Sequence, residues 1–356
     1  MSENLLVLAG KSAYEHIKEN GLNQSNIDLV LGASGAAKWL TIYGLDAFLF
    51  SHWFKDRKAP LHLFGTSIGA WKFAAAAQSN PEKGFHDLKE AYIHQYYNGE
   101  VTAAKVSRES KRIMDLFLTQ ETVDQVLSHP FLRIGFGAVR CKNFLASESR
   151  LFQALGMWSV FDLNLLSRNL QRFCFERTLF HDQRYDPRVM ELNDFPTSRV
   201  PLDRENFSKA LLASGSIPMI MKGVKDIPGA PAGIYRDGGL LDYHPAVPLG
   251  PDQTGFILYP HFYPEITPGW FDKRFPKRRV TGPLADRIIL LAPSPGFVST
   301  FPLGRIPDRR DFVRLKGQDD VRVSAWTKAA EMSRALGDDF MDMVETGSIR
   351  DRVRML

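Results

Sequence analysis

Leu61-His62-Leu63-Phe64-Gly65-Thr66-Ser67-Ile68-Gly69 runs from an apolar segment into a serine flanked by glycines, and an alanine-rich stretch, Ala70 to Ala77, follows. This order predicts a strand, a tight turn and a helix, with Ser67 at the tip. A turn this sharp drives neighbouring side chains together, and Gly65 and Gly69 remove the collisions. Ser67 is then presented at a helix N-terminus, where free backbone N–H groups stabilise negative charge. At roughly 7% each for Gly and Ser, Gly-x-Ser-x-Gly arises by chance in about one chain in ten of this length. Its weight therefore comes from the strand before it and the helix after it. The alternative is a plain strand-to-helix turn with small residues for packing.

Upstream, Ile27-Asp28-Leu29-Val30-Leu31 looks like a buried strand. A small-residue loop, Gly32 to Lys38, follows, and then a helical pattern from about Trp39 to Phe54. Strand, loop and helix repeated in this way predict a parallel α/β sheet. Downstream, residues 82–128 look mostly helical and Leu132–Val139 alternates like a strand. A helix-like run over 207–221, strands over Gly255–Tyr259 and Arg287–Leu291, and helical spacing over 320–345 complete the pattern. Leu151 to Leu166 is apolar with almost no charge, which suits a lid, a lipid-contacting helix or ordinary core.

At 356 residues the chain has room for one large domain or two ordinary ones, and 44% hydrophobic with 24% charged residues is a globular composition. The N-terminal Met1 to Leu8 has a short apolar run without a basic leader, and no stretch reaches the length of a membrane span. Two cysteines, Cys141 and Cys174, give no disulfide framework. A cytoplasmic protein is expected, with peripheral membrane contact as an option. The net charge is +5, and residues 261–356 hold 17 Lys and Arg against 13 Asp and Glu. The densest piece, Lys273 to Arg279, lies beside Trp270, Phe271 and Phe275, which suits phosphate headgroups or an anionic membrane surface as well as a solvated loop. No nucleic-acid motif accompanies the charge, and no Cys/His cluster has metal-ligand spacing.

A serine hydroxyl needs a base to take its proton. Nine histidines are present, none beyond His261, so the late histidine of an α/β-hydrolase triad is missing; His244 and His261 remain as candidates. The other candidate is Asp237, in Asp237-Gly238-Gly239. Alone, that tripeptide reads as a hairpin turn. The glycines also let backbone pass close to another element.

Together these pieces resemble the patatin-like phospholipases. The family pattern is a Gly-rich oxyanion loop, Gly-x-Ser-x-Gly within about 40 residues of it, a segment of the type Ala213-Ser214-Gly215-Ser216-Ile217-Pro218, and then Asp-Gly-Gly or Asp-Gly-Ala. The resemblance covers roughly residues 25–260. In the best register of the loop, Gly35 and Gly44 match, Ala36 replaces a glycine and Lys38 stands for arginine; a second register starts at Gly32. After Asp-Gly-Gly the family often has Asn-x-Pro, where this chain has Tyr243-His244-Pro245.

The resemblance implies an α/β three-layer sandwich with a mostly parallel central sheet flanked by helices. It implies a catalytic unit over 25–293 with a helical insertion at about 82–200, and a C-terminal helical extension over 294–356. It implies a lipid acyl hydrolase without cofactor, working through a Ser67–Asp237 dyad and an acyl-enzyme. Oxyanion donors would come from Gly35, Ala36 and Ile68; Lys38, at the start of a helix beside that loop, suits a substrate phosphate as well as a plain surface lysine. The rival readings are acyl transfer by the same dyad, a non-catalytic lipid-binding protein, and an esterase with a histidine base.

Overall fold

The computed structural model describes residues 4–97, 101–186 and 188–356. Residues 1–3, at the start of the N-terminal apolar run, and 98–100, within the stretch expected to be mostly helical, lie outside the described residues.

Among the described residues, eleven strands form one sheet: β1 (Leu5–Ala9), β2 (Ile27–Gly32), β3 (Leu61–Thr66), β4 (Leu132–Cys141), β5 (Phe175–His181), β6 (Thr197–Pro201), β7 (Val224–Lys225), β8 (Ile234–Asp237), β9 (Phe256–Pro260), β10 (Ile288–Pro293) and β11 (Val353–Met355). Their order is β11-β1-β10-β9-β2-β3-β4-β5-β6, with β8 on β4 and β7 on β8. The centre, β10-β9-β2-β3-β4, is parallel throughout. β3 and β10 are buried at every position, because helices cover both faces of such a sheet. The result is the expected three-layer α/β sandwich.

The helix after Ser67, Ile68–Ala76, is buried along its whole length, which explains why its sequence is apolar all round apart from Lys72. The helical pattern expected over Trp39–Phe54 is wound three ways: a 3₁₀ segment Ala36–Ile42, an α-helix Tyr43–Phe48 and a π turn Leu49–Trp53. The 320–345 pattern is two helices, Asp319–Met332 and Arg334–Glu345, which meet at Ser333. Ser333 ends the first helix by donating its hydroxyl to Ala330 O, and its Oγ accepts the Gly44 N–H at 2.8 Å. Gly44, matched to the loop motif, is a packing glycine: a Cβ there would lie 2.4 Å from the Arg334 backbone. The stretch 82–200 contains helices and also β4, β5 and β6. Cys141 and Cys174 are buried and unbridged. Among the described residues, no helix is long and apolar enough to cross a membrane.

Candidate active site

β4 sets the geometry. Along one side of it β3 runs parallel and ends with Thr66 opposite Gly137. β8 then takes over the same side antiparallel, and its last residue, Asp237, lies opposite Ala138. The C-terminal ends of β3 and β8 therefore converge on adjacent residues of one strand. Ser67, the next residue after β3, donates its Oγ–H to Asp237 Oδ2 at 2.8 Å. The two side chains come from positions 170 residues apart and are both nearly buried.

Ser67 has φ 54° and ψ −127°, a conformation that a side chain adopts only when the surroundings impose it. The surroundings are tight. A Cβ at Gly69 would lie 2.2 Å from Gly32 O, and one at Gly65 would lie 2.6 Å from the Gly69 carbonyl carbon. The second glycine is thus required by contact with the Gly32–Ala36 loop as well as by the turn. The Ser67 N–H donates to Ser214 Oγ (3.0 Å), which donates onward to Gly137 O (2.7 Å). The Ala213–Pro218 segment therefore fixes the elbow, a role that no local pattern in the sequence reveals.

Asp237 is not in a hairpin turn. β8 ends on it and a 3₁₀ turn, Gly238–Leu240, carries the chain away. Its Oδ1 accepts the Gly239 N–H at 2.7 Å, and its own N–H bonds Ser216 O. Gly238 passes so close to β4 that a Cβ would lie 2.2 Å from Gly137 O. Burial pushes the Asp237 pKa up to about 6, against the opposing pull of the Gly239 N–H and the Ser67 hydroxyl. His244 and His261 are elsewhere: their rings lie 4.2 Å apart, His244 Nδ1 accepts the Thr267 N–H, and burial holds both pKa values well below the ordinary histidine range. Neither bonds Ser67 or Asp237.

The loop after β2 lies against this pair. Ser34 Oγ and Thr66 Oγ1 are 2.8 Å apart, and Thr66 Oγ1 donates to Asp242 O. Asp242 is held by both its oxygens on the buried Arg177, each at 2.8 Å. Ala36 has φ 53°, so the alanine occupies a left-handed position that a glycine would take without strain. The backbone N–H groups of Gly35, Ala36 and Ile68 donate none of the hydrogen bonds described outside helices and strands, and Ala36 and Ile68 open helical segments, where no intrahelical acceptor exists. Lys38 is paired with Asp308 at 2.5 Å.

Beneath the site, Lys72 Nζ lies 2.8 Å from Asp46 Oδ1, and Trp39 Nε1 donates to Asp46 Oδ2 at 2.9 Å. All three are fully buried. They join the helix behind Ser67 to the one that follows the loop. Burial pushes the Asp46 pKa up even with Lys72 beside it. Cavities of about 410 and 430 Å³ lie elsewhere, beside Asp194 and beside Trp53; neither includes Ser67 or Asp237. Among the described residues, no cluster of three or more His, Cys, Asp or Glu is arranged to hold a metal.

No curated protein matches the chain. Among solved structures, human GIVD cytosolic phospholipase A2 is similar at 10% sequence identity with a TM-score of 0.41, over 96% of this chain and 62% of that one. This chain thus spans less than two thirds of that structure. A family model, that of the patatin-like phospholipases, matches residues 29–249, which include Gly35, Ser67 and Asp237. That match covers more than half of the sequence, and the chain belongs to the patatin-like phospholipase family.

Proposed function

We propose that this chain hydrolyses carboxylic esters of lipids, with Ser67 as nucleophile and Asp237 as its general base. The observation that carries the reading is the 2.8 Å hydrogen bond from Ser67 Oγ to Asp237 Oδ2 at the start of a buried helix. Asp237 accepts the hydroxyl proton while Oγ attacks the ester carbonyl. The N–H groups of Gly35 and Ala36, with Ile68 as a third, meet the developing oxyanion. A single such donor is typically worth about 2.7–4 kcal/mol in the transition state. The Ser67 N–H is engaged by Ser214 and plays no part. Collapse of the tetrahedral intermediate expels the alcohol, which takes the proton from Asp237. Water, deprotonated by the same carboxylate, then cleaves the acyl-enzyme and releases the fatty acid.

In this reading Lys38 meets an anionic headgroup, and Asp308 is the carboxylate that the headgroup displaces. We assign the catalytic unit to residues 25–293 and treat 294–356 as its C-terminal extension. Treatment with a fluorophosphonate probe tests the dyad. Labelling of wild type, with none of Ser67→Ala and little of Asp237→Asn, is expected; equal labelling of Asp237→Asn rejects the aspartate as base. Released fatty acid, measured beside any acyl-transfer product, tests the hydrolytic outcome.

A further inference from the structure

The helix Arg150–Leu166 has its polarity inverted. Leu151, Phe152, Leu155, Trp158, Leu165 and Leu166 are exposed, Trp158 at 69% and Leu166 at 80%, whereas Gln153 and Asn164 are buried. The exposed positions recur at the helical spacing, so they form one face. The buried polar groups are hydrogen-bonded: Gln153 Oε1 accepts the Met219 N–H at 2.7 Å, and Asn164 bonds Asp272 and Gln171. Single exposed leucines need no explanation, but six exposed apolar side chains on one face, interrupted by Ser159 and Asp162 and lying opposite satisfied polar groups, do. The expected choice between core and lipid contact is therefore divided by face. Val160 packs inward, and the Leu155–Trp158 side meets solvent.

Both segments that flank the dyad are fastened to this helix. Residues 214–221 run from Ser214, on the Ser67 N–H, to the Met219 contact with Gln153. Asp272, on Asn164, precedes Lys273, whose ammonium lies 3.7 Å from the centre of the Tyr243 ring and interacts with the Asp237 charge. At the helix C-terminal end, Arg278 donates to Asn164 O and Phe275 stacks on Phe161. This places Arg274 and Lys277 there, both exposed and, among the described residues, without an ion pair; Arg150, also unpaired, stands at the opposite end. Asp162 is the one acid of the helix.

We propose that this face docks on an anionic lipid bilayer, with the apolar side chains of helix 150–166 entering the headgroup boundary and Arg150, Arg274 and Lys277 meeting lipid phosphates. An apolar face with cations at both ends has the charge complement of an anionic membrane surface. Asp162 keeps the insertion shallow. Docking in this pose sets the two segments beside Ser67 and Asp237 at the lipid surface, so the inference deepens, and rests on, the reading of the dyad as a lipid hydrolase.

The test uses the full chain carrying Ser67→Ala, so that hydrolysis does not alter the vesicles. Cosedimentation with phosphatidylcholine vesicles is compared with vesicles containing one third phosphatidylserine. Binding at least tenfold stronger to the anionic vesicles is expected, with a blue shift of tryptophan emission that disappears in Trp158→Phe. Leu155→Ser with Trp158→Ser should weaken binding about tenfold, and Arg274→Glu with Lys277→Glu should do so independently. Unchanged binding in both sets, or an emission shift that persists in Trp158→Phe, overturns the proposal. So does a dimer in solution that Leu155→Ser with Trp158→Ser converts to monomer, since a second copy then covers the face. Fluorophosphonate labelling of the unsubstituted chain is scored separately: its failure with vesicle binding intact removes the hydrolase reading and leaves the docking surface standing.

Discussion

Thr66 and Asp237 end their strands opposite consecutive residues of β4, Gly137 and Ala138. One strand of ten residues thus serves as a ruler for two others that approach it from opposite directions. The hydrogen bond between Ser67 and Asp237 follows from that register, with no flexible side chain needed to span a gap.

In the proposed mechanism the pKa of Asp237, about 6, sets the pH dependence of turnover. The base works only when ionised, so kcat/KM on a water-soluble ester should rise tenfold per pH unit below about pH 6 and level off above it. A profile that stays flat down to pH 4 removes Asp237 from the role of base.

Stability should run the other way. The folded pKa of Asp237 is raised from 3.8 to about 6, so the folded state holds this proton more tightly than the unfolded chain. Its contribution is full below the unfolded value and is lost as pH rises through about 6. The difference between the folded and unfolded values corresponds to about 3 kcal/mol at neutral pH. Asp237→Asn cannot ionise, so its melting temperature relative to wild type should be higher at pH 8 than at pH 4, while turnover is abolished. A difference that does not change with pH contradicts the assignment.

Lys72 and Asp46 form a pair whose separation is costly. Lys72→Met leaves a buried carboxylate with only the Trp39 N–H, and breaking one side of such a pair typically costs about 3–5 kcal/mol. Lys72→Met combined with Asp46→Leu should recover most of that loss in urea unfolding. If the double variant is as unstable as the single one, the pair is not what joins these helices.

What the sequence makes legible is local. Ser67 can be read because strand, glycines and helix all lie within a few residues. Asp237 can be read only through the motif, since the register of β8 on β4 depends on an intervening fold that no short pattern encodes. β5 and β6 escape a reading of the sequence for the same reason: β5 is antiparallel to β4 and β6 parallel to β5, across long connections. Lys72 and Asp46 do leave a signal. Each is a lone charge inside an apolar helix, of opposite sign to the other, and a buried charge requires a partner. For Leu151–Leu166, composition alone does not say which face turns outward, because Gln153 and Asn164 are inward-facing polar residues in an apolar sequence.

The order of strands has a practical consequence for dissecting the chain. The family match ends at residue 249, yet β9, which lies directly against β2, begins at Phe256, and β10 lies beyond it. A fragment cut to the matched residues would carry Ser67 and Asp237 but would begin within β2 and leave Leu29 and Val30 without their partners on β9. Such an open edge recruits strands from other chains. A fragment that keeps β2 paired must therefore start before Ile27 and reach through β9, and keeping β9 paired in turn takes it through β10.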